Sequence, residues 1–187
     1  MQRGTLVAFI LVVSILFLLP GSLPAEEGAY RLGPGDEIEI SVWKDENLTR
    51  KIVVPPDGVI TFPLIGDVDT KTLTIADLRK AIVEKLGTFV KNPAVTVMLI
   101  KPTSLVAYVV GKVNKPGQYD INMNTTVIQI LAMAEDLDPF ASPGSIIILR
   151  KENDETKTIS FDYNEVKKGK NLEQNITLKR GDVVIVP

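Results

Sequence analysis

The order of apolar and polar residues predicts short β-strands over most of the chain after residue 30. Ile38, Ile40 and Val42 alternate with polar residues, which is the period-two pattern of a strand that buries one face. Gly-Pro-Gly at 33–35 precedes this strand as a turn, because proline fixes one φ and the glycines allow unusual values of the others. Trp43, the only tryptophan, falls on the polar side of the alternation.

A hairpin is predicted after this strand. Apolar runs at 51–54 and 59–62 flank Asp57 and Gly58. Both turn residues tolerate positive φ, so the pair favours a tight connection between two neighbouring strands. Pro55 follows the first run directly and ends it, because proline cannot donate a ladder hydrogen bond.

Residues 75–86 have the pattern of an amphipathic helix, with apolar residues three and four apart and charged residues between them. Thr74 and Asp77 have the spacing of a capping box at its start. Gly87 is the expected stop at its end. The nearly continuous apolar run at 94–100 then predicts a strand covered on both faces.

Lys101-Pro102 is the predicted boundary between two small domains. Asn124 can cap a second helix that runs to about Ala134. Gly35-Asp36 and Gly181-Asp182 each introduce a predicted strand, although so short a similarity does not establish a repeat. The other elements predicted in the second half are a type II turn at 115–118 and strands at 105–110, 146–149, 158–161, 176–178 and 182–186.

The first 25 residues have the pattern of a signal peptide. Arg3 gives a positive start, and residues 6–19 are all apolar except Ser14. A break at Pro20 follows, and Ala25 is a small residue before a possible cleavage site. The alternative is an uncleaved membrane anchor. Fourteen helical residues reach only about 21 Å, against a hydrocarbon core of about 30 Å, so the signal peptide is preferred.

Composition narrows the possible functions. The chain has 187 residues and a formal net charge of −2, without the basic surface that nucleic-acid binding requires. It contains neither cysteine nor histidine, so disulfides, thiolate or histidine metal sites and histidine-dependent triads are unavailable. Carboxylates, lysine, serine, threonine and tyrosine remain for catalysis, so an enzyme is less favoured, and we expect no catalytic residues, no metal and no cofactor.

Three stretches resemble the outer-membrane polysaccharide export family. Residues 31–43, together with Pro56-Asp57-Gly58, are similar to its polysaccharide export N-terminal domain. Residues 110–113 with Pro116-Gly117 are similar to the start of an SLBB domain, a β-grasp module related to soluble-ligand binders. The tail at 161–187 resembles short export proteins that accompany exosortase-type exopolysaccharide loci.

The resemblance implies an α+β protein of two domains after the signal peptide at 1–25. A small mixed β-sheet export domain with one helix would occupy 26–102, and a β-grasp SLBB domain would occupy 103–187. It also implies a periplasmic, outer-membrane-associated part of an exopolysaccharide export apparatus. In such an apparatus, neighbouring subunits form a homo-oligomeric ring around a polysaccharide chain, and nucleic acid has no part in it.

Two departures from the family pattern shape this expectation. The chain has no lipid-anchor cysteine, and no amphipathic pore helix follows the strand that ends at Pro187. We therefore expect the outer-membrane step to belong to a separate β-barrel, with an inner-membrane copolymerase as the other candidate partner. Glu135-Asp136 stands where many relatives have paired glycines, which argues against close approach of a ligand to that loop.

Trp43 is the candidate interface or glycan contact, because a tryptophan on a polar face can anchor a subunit or stack on a sugar. The alternative is that strand twist and the loop at 44–48 cover it. Asp36, Glu37 and Glu39 could form a carboxylate pair for glycoside hydrolysis, but a solvated strand face is the preferred interpretation. Beside the conduit, two functions remain open: a glycan-binding or scaffolding adaptor and, less favoured, a glycan-processing enzyme.

Overall fold

The computed structural model describes residues 29–152 and 155–187. The predicted signal peptide at 1–25 lies outside the described residues. In chain order the elements are β1 (Glu37–Val42), β2 (Asp45–Val53), β3 (Val59–Phe62), β4 (Gly66–Asp69), α1 (Ile75–Leu86), β5 (Val95–Lys101), β6 (Val106–Gly111), β7 (Gly117–Asp120), α2 (Val127–Met133), β8 (Ile146–Glu152), β9 (Glu155–Phe161), α3 (Tyr163–Lys167), a 3-10 turn (Leu172–Gln174) and β10 (Val183–Val186). This confirms the α+β class.

The first half of the described chain forms an antiparallel sheet in the order β2-β1-β5 and a separate β3-β4 hairpin. The prediction of a mixed sheet in this half is wrong, because every strand pair there is antiparallel. Helix α1 covers one face of the sheet and buries Leu78, Ile82 and Leu86 completely. These side chains belong to one core cluster with Ile38 and Ile40 of β1.

The predicted hairpin at Asp57-Gly58 is also wrong. β2 pairs with β1, while β3 pairs with β4. The turn itself is present, since the Gly58 N–H donates to the Pro55 carbonyl at 2.9 Å and Gly58 has a φ of +71°. It joins β2 of the three-stranded sheet to β3 of the separate hairpin, because tertiary packing rather than the turn sequence decides which strands pair.

Helix α1 begins and ends where the sequence predicts. Thr74 and Asp77 form the full capping box, in which the Asp77 N–H donates to the threonine hydroxyl at 3.1 Å and the Asp77 carboxylate accepts the Thr74 N–H at 3.2 Å. Gly87 ends the helix but keeps a right-handed φ of −58°. It therefore stops the helix as predicted, without the left-handed conformation of the common glycine cap.

The second half forms a five-stranded sheet in the order β7-β6-β10-β8-β9. The central pair β6–β10 is parallel and its neighbours are antiparallel. Helix α2 buries Val127, Ile130 and Leu131 in the core cluster of this sheet. A mixed sheet with one helix across one face is the arrangement expected of a β-grasp module.

Three local predictions in this half are wrong. Thr126, not Asn124, caps α2, and its N–H donates to the Gln129 side chain at 2.8 Å. Gly117 has no positive φ and lies in β7 opposite Val109, so residues 115–118 do not form a type II turn. Residues 176–178 form no strand, and only an isolated bridge at Thr177 joins them to Thr126.

Within residues 29–152 and 155–187, no helix has the length and apolar character needed to cross a membrane.

Candidate interaction site at the domain junction

Trp43 lies in a tight turn rather than on the face of a strand. Val42 pairs with Asp45, so Trp43 and Lys44 form a two-residue connection between β1 and β2. Lys44, the second residue of this connection, takes a left-handed φ of +64°. The indole is 75% exposed, so the loop at 44–48 does not cover it and that alternative is wrong.

The turn that carries Trp43 is tied to the rest of its domain. The Trp43 N–H donates to the Ala94 carbonyl at 2.9 Å, just before β5 begins. The backbone beneath the indole is therefore fixed, while the ring itself points outward. An exposed aromatic on a fixed backbone loses little further backbone freedom when a partner covers it.

The three predicted acidic residues separate into two environments. Glu37 and Glu39 are half-buried on the outer face of the first sheet, and Glu39 lies opposite Lys51. Asp36 is fully buried, so a solvated strand face describes the two glutamates but not this aspartate. The structure therefore does not bring the three carboxylates together on one surface.

Asp36 links the two halves of the chain. Its Oδ2 accepts hydrogen bonds from the Gly33 N–H at 2.8 Å and from the Tyr30 hydroxyl at 2.5 Å. Its Oδ1 accepts the Ser104 N–H at 2.8 Å. Ser104 follows the predicted boundary at Lys101-Pro102, so the carboxylate connects the first domain to the start of the second. The Tyr30 hydroxyl also lies 3.0 Å from the Ser104 hydroxyl.

Arg180 reaches back to the same place from the end of the second domain. Its guanidinium donates to the Arg31 carbonyl at 2.7 Å and to the Leu32 carbonyl at 3.5 Å, and lies over the Tyr30 ring at 5.6 Å. A Cβ on Gly33 would fall 2.0 Å from Arg180 Nη1, so any larger residue there would displace the guanidinium. Glycine at 33 therefore provides room for the arginine.

The contacts of Tyr30, Asp36 and Arg180 between the two domains form the domain junction. This environment changes the acidity of Tyr30. Burial, followed by the hydrogen bond to Asp36, raises the pKa of Tyr30 to about 12. The phenol therefore stays protonated and donates to Asp36 at any physiological pH. With its oxygens held by donors, the Asp36 carboxylate positions backbone rather than acting as a base.

A shallow groove of about 370 Å³ lies beside Tyr30. Its lining is mostly apolar and comes from both domains, at Ala29, Tyr30, Arg31, Leu105, Met123 and 177–180. Sequence reasoning did not find this groove or the junction. The Gly-Asp pair before β1 and β10 indicates a turn with a side-chain acceptor, but it does not indicate which distant group donates to that acceptor.

Glu135 and Asp136 follow α2 with φ values of +60° and +68°. The Asn114 amide donates to the Glu135 carbonyl at 2.6 Å, and Lys115 forms a 2.5 Å ion pair with the Glu135 carboxylate. Paired glycines in relatives would suit this left-handed backbone without any ligand contact. Residues 29–152 and 155–187 contain no cluster of three or more acidic side chains that could hold a metal ion.

Comparison with known families assigns both halves of the chain. Residues 24–100 match the polysaccharide biosynthesis/export protein family, and residues 105–186 match the SLBB domain. The first match contains Asp36 and the second contains Arg180, so the contacts of these two side chains join the two matched domains.

Curated relatives have names that refer to polysaccharide transport or export. The polysialic acid transport protein KpsD of Escherichia coli is 26% identical over 159 residues, which is 84% of this chain and 28% of the relative. The EPS I polysaccharide export outer membrane protein EpsA of Ralstonia nicotianae is 29% identical over 155 residues, which is 70% of this chain and 41% of the relative. The chain thus spans less than half the length of these relatives. With both domain families matched in order, the chain belongs to the outer-membrane polysaccharide export family and carries one SLBB domain.

Proposed function

We propose that this protein is a non-enzymatic component of an exopolysaccharide export apparatus and forms part of an oligomeric conduit for the polymer. The observation that carries this proposal is the order of the two domain families along the described chain. The names of KpsD and EpsA, a transport protein and an export protein, support the same process.

The geometry of the junction supports a subunit that works as one piece. Asp36, Tyr30 and Arg180 make side-chain contacts between the domains, and their partners are mostly backbone groups. Such contacts fix the angle between two small domains more firmly than exposed ion pairs would. A ring closes only if every subunit repeats the same angle, so a fixed junction suits this role.

The location and partners of the protein are part of the proposal. We place it in the periplasm, associated with the outer membrane, where it would receive polymer from an inner-membrane copolymerase or pass it to an outer-membrane β-barrel. The name of EpsA includes the outer membrane, which supports this placement. Trp43 is the proposed anchor for a neighbouring subunit or for the glycan.

A glycan-binding or scaffolding adaptor is the second candidate, favoured by the groove beside Tyr30. The two functions differ in assembly. Electron microscopy of the purified protein should show closed rings with an open axis if it is a conduit. A stable monomer that binds the exported glycan with measurable affinity would support the adaptor instead.

Trp43→Ala tests the proposed anchor. We expect the oligomer mass measured by light scattering to fall, while the thermal unfolding midpoint stays near that of the wild type because the indole is exposed. Phe89→Ala is the matched control, since Phe89 is 61% exposed in another part of the same domain. An unchanged mass in Trp43→Ala would remove Trp43 from the interface.

A further inference from the structure

The groove beside Tyr30 is shared by the two domains. Two sets of residues line it, one from each domain: Ala29, Tyr30 and Arg31 from the first, and Leu105, Met123 and 177–180 from the second. Tyr30 packs against the core clusters of both domains. A ligand in the groove would therefore contact both domains at once.

The charged side chains among the described residues that line the groove are all positive: Arg31, Lys179 and Arg180. The whole chain has a formal net charge of −2, so this local excess is opposite in sign to the average. Cations beside an apolar surface attract a ligand that carries a negative charge of its own.

The nearby carboxylates leave this positive charge in place. Hydrogen bonds from Lys157 and Lys179, at 2.7 and 2.8 Å, lower the pKa of Glu152 to about 2, so this ionised carboxylate is shared by two cations. Asp36 is fully buried, and its oxygens accept hydrogen bonds within the junction. The groove therefore keeps a positive side that suits an anionic group.

The second-domain side of the groove is held by hydrogen bonds to its backbone. The Leu178 N–H donates to the Thr125 carbonyl at 2.8 Å, and the Thr177 carbonyl accepts a hydrogen bond from Arg150 at 2.9 Å. A site that is already formed loses little conformational freedom when a ligand binds, which favours small ligands.

We propose that the groove binds a single-chain amphiphile with an anionic head group. Its alkyl chain lies along the apolar lining at Leu105, Met123 and Leu178, and its head group accepts a hydrogen bond from Lys179. The inference goes beyond the proposed function, because it assigns a small ligand to the domain junction and not a path to the polymer.

The volume of the groove sets the size of this ligand. About 370 Å³ equals roughly twelve water-sized volumes of about 30 Å³ each. Decanoate, a ten-carbon carboxylate, is about this size and is the probe used below. Each fully buried methylene group strengthens binding about fourfold, so an alkyl chain supplies most of the affinity in an apolar groove.

A sugar is less suited to this lining. Sugars are densely hydroxylated, whereas the side chains of Ala29, Leu105 and Leu178 have no hydrogen-bonding group. Burying hydroxyl groups against aliphatic carbon without partners is unfavourable. Occupation of the groove by the glycan, which the adaptor function would use, is therefore an alternative that the experiments below test.

The first test uses three probes that separate the alkyl chain from the head group. Isothermal titration calorimetry of the exported protein, below the micelle concentration of each probe, should show one decanoate per chain. Decyltrimethylammonium should bind at least about tenfold more weakly because its head group is positive, and acetate should not bind detectably because it has no chain. Equal affinities for decanoate and decyltrimethylammonium would overturn the inference.

The second test places a negative charge in the groove. Met123→Glu does so, and Met133→Glu is the matched control, since Met133 lies outside the groove in the same domain and is 43% exposed against 42% for Met123. We expect decanoate to bind at least about tenfold more weakly to Met123→Glu and within about twofold of wild type to Met133→Glu, with circular dichroism to confirm folding. Unchanged affinity in Met123→Glu would overturn the inference.

The third test removes the cation assigned to the head group. Lys179→Gln and Lys157→Gln each break one ion pair of Glu152, and the two lysine side chains are 61% and 58% exposed, but Lys157 does not line the groove. Decanoate should bind at least about threefold more weakly to Lys179→Gln than to Lys157→Gln. Equal affinities for the two variants would overturn the inference.

The last test asks whether the bound ligand joins the domains and whether another occupant takes its place. Saturating decanoate should slow limited proteolysis near 101–104 at least about threefold in the wild type and leave Met123→Glu unchanged. Unaltered cleavage in the wild type would contradict binding across the junction. Displacement of decanoate by the exported polysaccharide, or binding of decanoate only to dilute, dissociated protein, would overturn the inference in favour of a glycan or of a second copy of the chain.

Discussion

The turns that introduce β1 and β10 are the same local structure used for two purposes. In residues 33–36 and 179–182, the fourth N–H donates to the first carbonyl at 3.1 Å and the third residue is a glycine with φ of +90° or +81°. Asp36 and Asp182 are both fully buried, and each accepts the N–H of the first turn residue at 2.8 Å.

The two aspartates differ in their remaining partners. Asp182 is paired with Arg150 of its own domain, with 2.6 Å between Nη2 and Oδ2. Asp36 instead accepts neutral donors, and one of them, the Ser104 N–H, belongs to the start of the second domain. A Gly-Asp turn thus supplies a buried carboxylate acceptor. The group that donates to this carboxylate determines whether the turn stabilises one domain or joins two domains.

The largest loss of folding stability is expected from Asp182→Asn. It would leave the Arg150 guanidinium nearly buried without its charge partner, so the free energy of unfolding should fall by about 3–5 kcal/mol. Urea denaturation followed by circular dichroism measures this loss. Glu155→Gln, which removes a charge from an exposed position, serves as the control. A loss below about 1 kcal/mol would show that the pair is not structurally important.

Asp36→Asn should have a smaller effect, located at the junction. One carboxylate oxygen becomes an NH₂ group that faces another donor, so the bond from Ser104 or one of its neighbours is lost, at about 1–3 kcal/mol. Limited proteolysis should then cleave faster near 101–104 than in the wild type. Equal cleavage rates, with the fold intact, would mean that Asp36 does not hold the domains together.

Gly33→Ala and Arg180→Ala should loosen the junction with little loss of stability. An alanine Cβ would displace the Arg180 guanidinium, and Arg180→Ala removes it outright, so both variants lose the bond to the Arg31 carbonyl. Small-angle scattering should show a wider range of shapes for each. Lys170→Ala, which changes an exposed cation elsewhere in the second domain, should scatter like the wild type. Unaltered scattering by both junction variants would contradict the role of Arg180.

The smallest expected effect is the pH dependence that Tyr30 gives to the stability of the folded protein. The pKa of Tyr30 is raised to about 12 in the folded protein, against about 10 when unfolded, so its contribution to stability is complete below pH 10 and is lost as pH rises towards 12. Stability of the wild type should therefore fall more steeply over this range than that of Tyr30→Phe. Denaturation midpoints at several pH values measure the difference, and parallel curves would contradict the assignment.

Much of the fold could be predicted because the periodic signals are local. Helix α1 with its Thr74 capping box, the strand at 37–42 and the overall class follow from spacing and cap chemistry. Strand pairing was less predictable. Asp57-Gly58 has the residues of a hairpin turn, yet only tertiary contacts decide that β2 pairs with β1 and β3 with β4.

The site was less accessible to sequence reasoning. Trp43 could be singled out, but its place in a turn depends on where β1 ends, and a one-residue shift changes its environment. Asp36 could be noticed as a Gly-Asp turn, but its bond to Ser104 joins residues 68 apart. No local pattern reports a contact of that range.

Deletion of the gene tests the central claim, that the protein is part of a polysaccharide export path, most directly. The account predicts that the deletion strain traps polymer in the periplasm and loses it from the surface. Complementation with the wild type should restore surface polymer, as should the control variant Phe89→Ala. Normal surface polysaccharide in the deletion strain, with no periplasmic accumulation, would contradict the account.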